Sequence, residues 1–183
     1  MVKKNFKNQG FTLFEVIIVI FLFSMISVAG TSMFFSILKT TTKAEIEKEL
    51  KQNGTYAITS MENMIRNARS IVNCETSVSD RYLIIQNQHG TTNKLECVYD
   101  NVAQTAAIAS DSGVITNNAL TGTNVTVSAP GEGCGGSTLV FNCLNTIPQS
   151  VGIGFTLRQA VIGGKVEDQA SVSFQTSVSL RNY

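Results

Sequence analysis

Hydrophobic and polar positions fall into three regimes along this chain. From Val16 to Leu38 there is neither a charged side chain nor a proline. With the flanking residues, the apolar run covers 11–38 and exceeds the roughly 20 residues that cross a bilayer as a helix. Its second half is small and polar, with Ser24, Ser27, Gly30, Thr31, Ser32 and Ser36. Small residues let helices approach closely. From residue 39 the pattern becomes amphipathic. Lys43–Glu47 and Glu47–Lys51 stand at i, i+4 spacing, which supports a solvated helix face. Ile58, Met61, Ile65, Ala68 and Val72 recur every three or four residues and form one apolar stripe. These features predict a single helix from Phe11 to about Ser70. Gly54 is where it would bend, since glycine costs a helix about 1 kcal/mol relative to alanine.

The third regime is strand-like. Tyr82–Ile85 and Leu95–Tyr99 flank a turn segment at 88–93, the mark of a hairpin. Val125–Val127 and Leu139–Phe141 are short strand candidates around a glycine-rich turn. Val151, Ile153, Phe155 and Leu157 alternate along one run; Ala170, Val172, Phe174, Thr176, Val178 and Leu180 alternate along another. Residues 101–120 carry weak patterning and read as loop. The expected fold class is α+β: a long N-terminal helix, membrane-spanning in its first half, packed on a C-terminal antiparallel sheet.

Composition narrows the function. The net charge of +1 argues against a broad nucleic-acid-binding surface. Four cysteines, Cys74, Cys97, Cys134 and Cys143, all follow the apolar run. In an exported domain that even number reads as two disulfides with three connectivities. Cys74–Cys97 and Cys134–Cys143 are preferred because each closes a local loop. A zinc site is disfavoured, since no C-x-x-C occurs and the one histidine, His89, stands apart from every cysteine in sequence.

Catalytic motifs do not emerge. Gly131-Glu132-Gly133-Cys134-Gly135-Gly136 matches G-x-G-x-x-G formally, but a strand rather than a helix follows, so it reads as a turn near a disulfide. Asp80, Asp100 and Asp111 match no calcium-loop spacing. The Asn53-Gly54-Thr55 and Asn124-Val125-Thr126 triplets fit the glycosylation pattern, a pattern common by chance. The expectation is a protein that is not an enzyme and has no cofactor and no metal.

The remaining chemistry lies at the start of the apolar run. Glu15 is an acid at the edge of an otherwise uncharged segment, and an ionisable residue at membrane depth is a functional candidate by default. Before it, Lys3, Lys4 and Lys7 form a basic leader without acids, which places the N-terminus in the cytoplasm by the positive-inside rule. The set of basic leader, Gly10-Phe11-Thr12-Leu13-Phe14-Glu15 and apolar helix resembles the signal of type IV pilins and type II secretion pseudopilins.

That resemblance implies cleavage by prepilin peptidase between Gly10 and Phe11, N-methylation of Phe11, and a role for Glu15 in assembly. It implies other pilin or pseudopilin subunits and an inner-membrane assembly platform as partners. It implies a single-pass inner-membrane protein with an exported head, later a pilus or pseudopilus. The chain then divides into a leader, 1–10; a transmembrane or filament-core helix, 11–38; an extended helix, 39–72; and a β-rich extracytoplasmic head, 73–183. Ser32 stands where many major pilins carry a proline, and the stretch 64–71 with the β-rich C-terminal part looks like minor members. The rival reading is a membrane-tethered binding or adhesin module that does not polymerise.

Overall fold

A computed structural model describes residues 10–77, 81–113, 117–129, 131–144, 148–160 and 170–181. The chain forms two compact units, residues 1–42 and 43–183. The first contributes the start of α1 (Leu13–Arg66), which is long and apolar enough to cross a membrane. No side chain of the apolar run is buried.

Among the described residues, the second unit contains the rest of α1 and nine strands. Strands β1 (Ala68–Glu75), β2 (Tyr82–Asn87), β3 (Thr92–Asp100), β4 (Thr105–Asp111) and β5 (Asn118–Ala119) form an antiparallel sheet in chain order. The second sheet is built on β8 (Ser150–Gln159). Along one edge of β8 run β7 (Val140–Leu144) and β6 (Val125–Thr126); β9 (Ser171–Ser179) also pairs with β8. This is the expected α+β class. The 82–100 hairpin and both alternating C-terminal strands form where the pattern places them.

The core lies between α1 and the sheets. Leu50, Ala57, Met61 and Ile65 are fully buried in it with Leu83, Leu95, Phe141 and Ile153. Val151, Ile153, Phe155 and Leu157 present one buried face of β8, because alternate residues of a strand share a side.

Three expectations need correction. The helix ends at Arg66, and residues 68–75 are strand β1, not the last turns of a helix running to 72. Ala68 is buried and Val72 exposed, so the helical spacing of these two residues is coincidental. The Ile71–Val72 pair is β-branched and stiff at χ1, which suits a strand, and β2 offers this segment a ladder. Second, residues 105–111 are strand, not loop. Ala106, Ala107, Ala109 and Ser110 are too small or polar to announce a strand, yet seven register pairs join β4 to β3. Third, the disulfides are Cys74–Cys143 and Cys97–Cys134, not the local pairs. Cys74 is on β1 and Cys97 on β3, with β2 between them. Two strand spacings of about 4.8 Å exceed the usual Cα reach of a disulfide. Cys74 instead meets Cys143 on β7 where the two sheets adjoin, with Cα atoms 6.5 Å apart. Cys97 meets Cys134 in the one-turn 3-10 helix Cys134–Gly136, at 5.7 Å.

Gly54 does not interrupt α1. It is buried, and Phe174 of β9 lies directly over it. A second tie is polar: Asn53 Oδ1 accepts from the Gly122 amide at 2.9 Å, and its Nδ2 donates to the Glu49 carbonyl at 3.0 Å. Glu49 Oε1 in turn accepts from Asn124 Nδ2 at 3.0 Å. Both asparagines of the glycosylation triplets are therefore engaged with the helix or its neighbours.

Candidate functional site: the start of the long helix

Gly10, Phe11 and Thr12 precede α1, and Leu13 is its first helical residue. Thr12 is thus the N-cap. Its Oγ1 accepts from the Glu15 amide at 3.3 Å, and its carbonyl accepts from the amides of Glu15 and Val16 at 3.1 and 3.3 Å. A helix leaves its first four amides without intrahelical partners, and an N-cap hydroxyl satisfies one of them. Glu15 stands at the third helical position, where a carboxylate also meets the positive end of the helix dipole. Thr12-Leu13-Phe14-Glu15 is the T-x-x-E signature of a capping box. That signal is legible in the sequence, since it needs only Thr12 and Glu15 three residues apart.

Glu15 and Phe11 are exposed, Phe11 at 81%. Behind them stands a continuous apolar surface, with Val16, Ile20, Phe23, Ile26 and Phe34 all exposed. Four hydroxyls of this segment are satisfied within the helix. Ser24 donates to the Phe21 carbonyl at 2.7 Å, Ser27 to Phe23 at 2.8 Å and Thr31 to Ser27 at 2.8 Å. Ser32 donates to the Ala29 carbonyl at 2.8 Å. An apolar medium supplies no water to hydrogen-bond these groups, so internal bonding removes most of their cost. The small-polar half of the run therefore stays compatible with lipid and leaves a low-relief surface for another helix. Lys3, Lys4 and Lys7 lie outside the described residues.

The family model for the prokaryotic N-terminal methylation motif matches residues 5–31. This chain carries a prepilin-type signal. No curated protein and no solved structure matches the chain. The prepilin signal spans the basic leader's end, Gly10, the capped helix start and about three quarters of the apolar run, to Thr31. It implies processing by prepilin peptidase and assembly with other pilins, and it fits membrane anchoring through the apolar helix.

The head residues considered for chemistry have other places. His89 is exposed in the β2–β3 turn. Asp100 Oδ1 accepts from the amides of Val102 and Ala103 at 2.8 and 3.1 Å, and Asp111 Oδ1 accepts from Gly113 at 2.7 Å. They close turns at opposite ends of the β3–β4 hairpin, where Asp100 faces Thr105 and Asp111 faces Lys94. Asp80 lies outside the described residues. Among the described residues no three His, Cys, Asp or Glu side chains gather as a metal site. The glycine-rich 131–136 segment is a turn tied down by Cys134, as its flanking sequence implies.

Proposed function

We propose that this protein is a minor structural subunit of a type IV pilus or a type II secretion pseudopilus. Prepilin peptidase cuts after Gly10, and the new amino group of Phe11 is methylated. The subunit enters its filament through residues 11–38, with the head outside the membrane. The observation that carries this reading is the match of the methylation motif to residues 5–31, ending within an exposed apolar helix.

The chemistry of Glu15 supports it. Cleavage would leave a cationic amine at Phe11, four residues before the carboxylate. An isolated charge in a lipid or filament core is costly, and breaking a buried pair by losing one partner typically costs about 3–5 kcal/mol. Glu15 of one subunit can meet the Phe11 amine of a neighbour staggered by one step. The pair sets register while apolar contacts supply adhesion. The minor assignment rests on Ser32 in place of a helix-kinking proline and on the looser likeness of the 64–71 stretch and the β-rich head to minor members.

Mass spectrometry of the mature N-terminus tests the reading, together with fractionation of sheared filaments. Methylated Phe11 in the sheared fraction is the expected result. A retained Met1 overturns the pathway. Processed protein that never leaves the membrane fraction favours a tethered binding module instead.

A further inference from the structure

Strand β9 reads Ser171-Val172-Ser173-Phe174-Gln175-Thr176-Ser177-Val178-Ser179. About Gln175 this sequence is nearly its own mirror: serines at 171, 173, 177 and 179, valines at 172 and 178, and only Phe174 against Thr176 differing. The strand also has an unusual edge. Among the described residues β9 pairs with β8 alone. That pairing runs through nine successive registers without a bulge. The strand contains no charge, proline or glycine. Natural sheets blunt such edges with lysines, prolines or bulges, because a long flat edge is a template for another strand. The edge strand β1 follows that rule: it has two register shifts, carries Arg69 and Glu75, and is tied to β7 by Cys74–Cys143.

We infer that β9 docks against β9 of a second copy of this chain, antiparallel and centred on Gln175. A two-fold interface must be self-complementary, and the near-palindrome makes this one so. Gln175 faces Gln175 of the second copy, Ser173 faces Ser177, Ser171 faces Ser179, and Val172 faces Val178. The serines and Gln175 lie on the exposed face, and Val172, Phe174, Thr176 and Val178 lie on the helix side. Uncharged like pairs bring no repulsion across the seam, and antiparallel cross-strand pairs are the unit of sheet stabilisation. Two four-stranded sheets then become one of eight.

The geometry limits which copies can meet. The two-fold axis of an antiparallel strand pair that keeps both outer faces on one side is normal to the sheet. In each head, residues 50–65 of α1 lie along the core face, so these helical segments run in opposite directions in the pair. The contact thus joins heads presented from opposed directions, not neighbours sharing one polarity. It goes beyond the assembly reading and does not depend on cleavage at Gly10.

Single-cysteine cross-linking of the full chain in detergent micelles tests the register. Every native cysteine is already in a disulfide, so an added cysteine supplies the one free thiol. Residues opposed in an antiparallel pair have Cα atoms about 4.5–5.5 Å apart, within disulfide reach. Gln175→Cys should shift to a dimer band under a copper-catalysed air oxidant and return to monomer on reduction. Ser171→Cys alone should remain monomeric, since its twin lies about 27 Å away, eight residues at about 3.4 Å each. Mixing Ser171→Cys with Ser179→Cys should restore the dimer. Gln175→Cys that stays monomeric, or Ser171→Cys that dimerises as fully, overturns the inference. If the added thiol reshuffles the native disulfides, the charge pair decides. Gln175→Lys and Gln175→Glu should each sediment as monomers and together as a dimer; no gain on mixing overturns it.

Discussion

The ring of Phe174 on β9 fills the space that a Cβ on Gly54 of α1 would need. Phe174 cannot easily retreat, because it stacks on Phe155 with ring centroids 5.2 Å apart. The glycine that reads as a weak point of the helix is therefore the slot through which strand and helix close on each other.

Gly54→Ala should destabilise the head despite improving helix propensity. Propensity favours alanine by about 1 kcal/mol, whereas overpacking a filled core typically costs about 1–3 kcal/mol. Thermal unfolding of the full chain in detergent should show a lower midpoint. Phe174→Leu in the same background should recover part of the loss, giving a coupling energy in a double-mutant cycle. Equal or higher stability for Gly54→Ala alone would contradict the packing argument.

Peptide mapping without reduction should recover Cys74 linked to Cys143 and Cys97 linked to Cys134. Removing the first bridge with Cys74→Ser and Cys143→Ser should cost about 2–4 kcal/mol, since it closes a long loop. Its sequence separation is 69 against 37 for the second, so the second bridge should cost somewhat less on the loop-entropy account. Denaturant midpoints of the two double variants compare them directly.

Thr12→Ala should fray the start of α1. Losing an N-cap costs about 1 kcal/mol, and the amides of Glu15 and Val16 should exchange with solvent several-fold faster. Thr12→Ser should behave as the wild type, because its hydroxyl can take the same bond. Unchanged exchange in Thr12→Ala would show that the cap does not hold the first turn.

Glu15→Ala should leave membrane insertion intact and remove the subunit from sheared filaments. The helix keeps its apolar length, so anchoring is retained. On the proposed pairing, what is lost is the partner of the Phe11 amine. Normal incorporation of the variant into filaments would remove the register role from Glu15.

Much of the N-terminal site was legible because its physics is local. The cap needs only Thr12 and Glu15 three residues apart, the anchor only an uninterrupted apolar run, and the signal only fixed spacing around Gly10. The β2–β3 hairpin and the alternation of β8 and β9 were legible for the same reason. Strand β4 was not, because alanine and serine in 105–111 become buried through pairing with β3 and packing against 120–127. There Ala106 donates to Thr126 Oγ1 at 3.0 Å and Ile108 to Thr121 Oγ1 at 3.1 Å. The helix end is not legible in the sequence, because Ala68 and Val72 continue a helical spacing into a strand.

By itself, then, the sequence determined a prepilin-type signal, a membrane-length helix and an α+β head, since each follows from nearest-neighbour chemistry and short periodicities. Tertiary structure alone decided which cysteines bond, why Gly54 is glycine and which strand edge is unpaired among the described residues. Those depend on strand order and on the approach of Phe174 across 120 residues of chain, and no local pattern carries either.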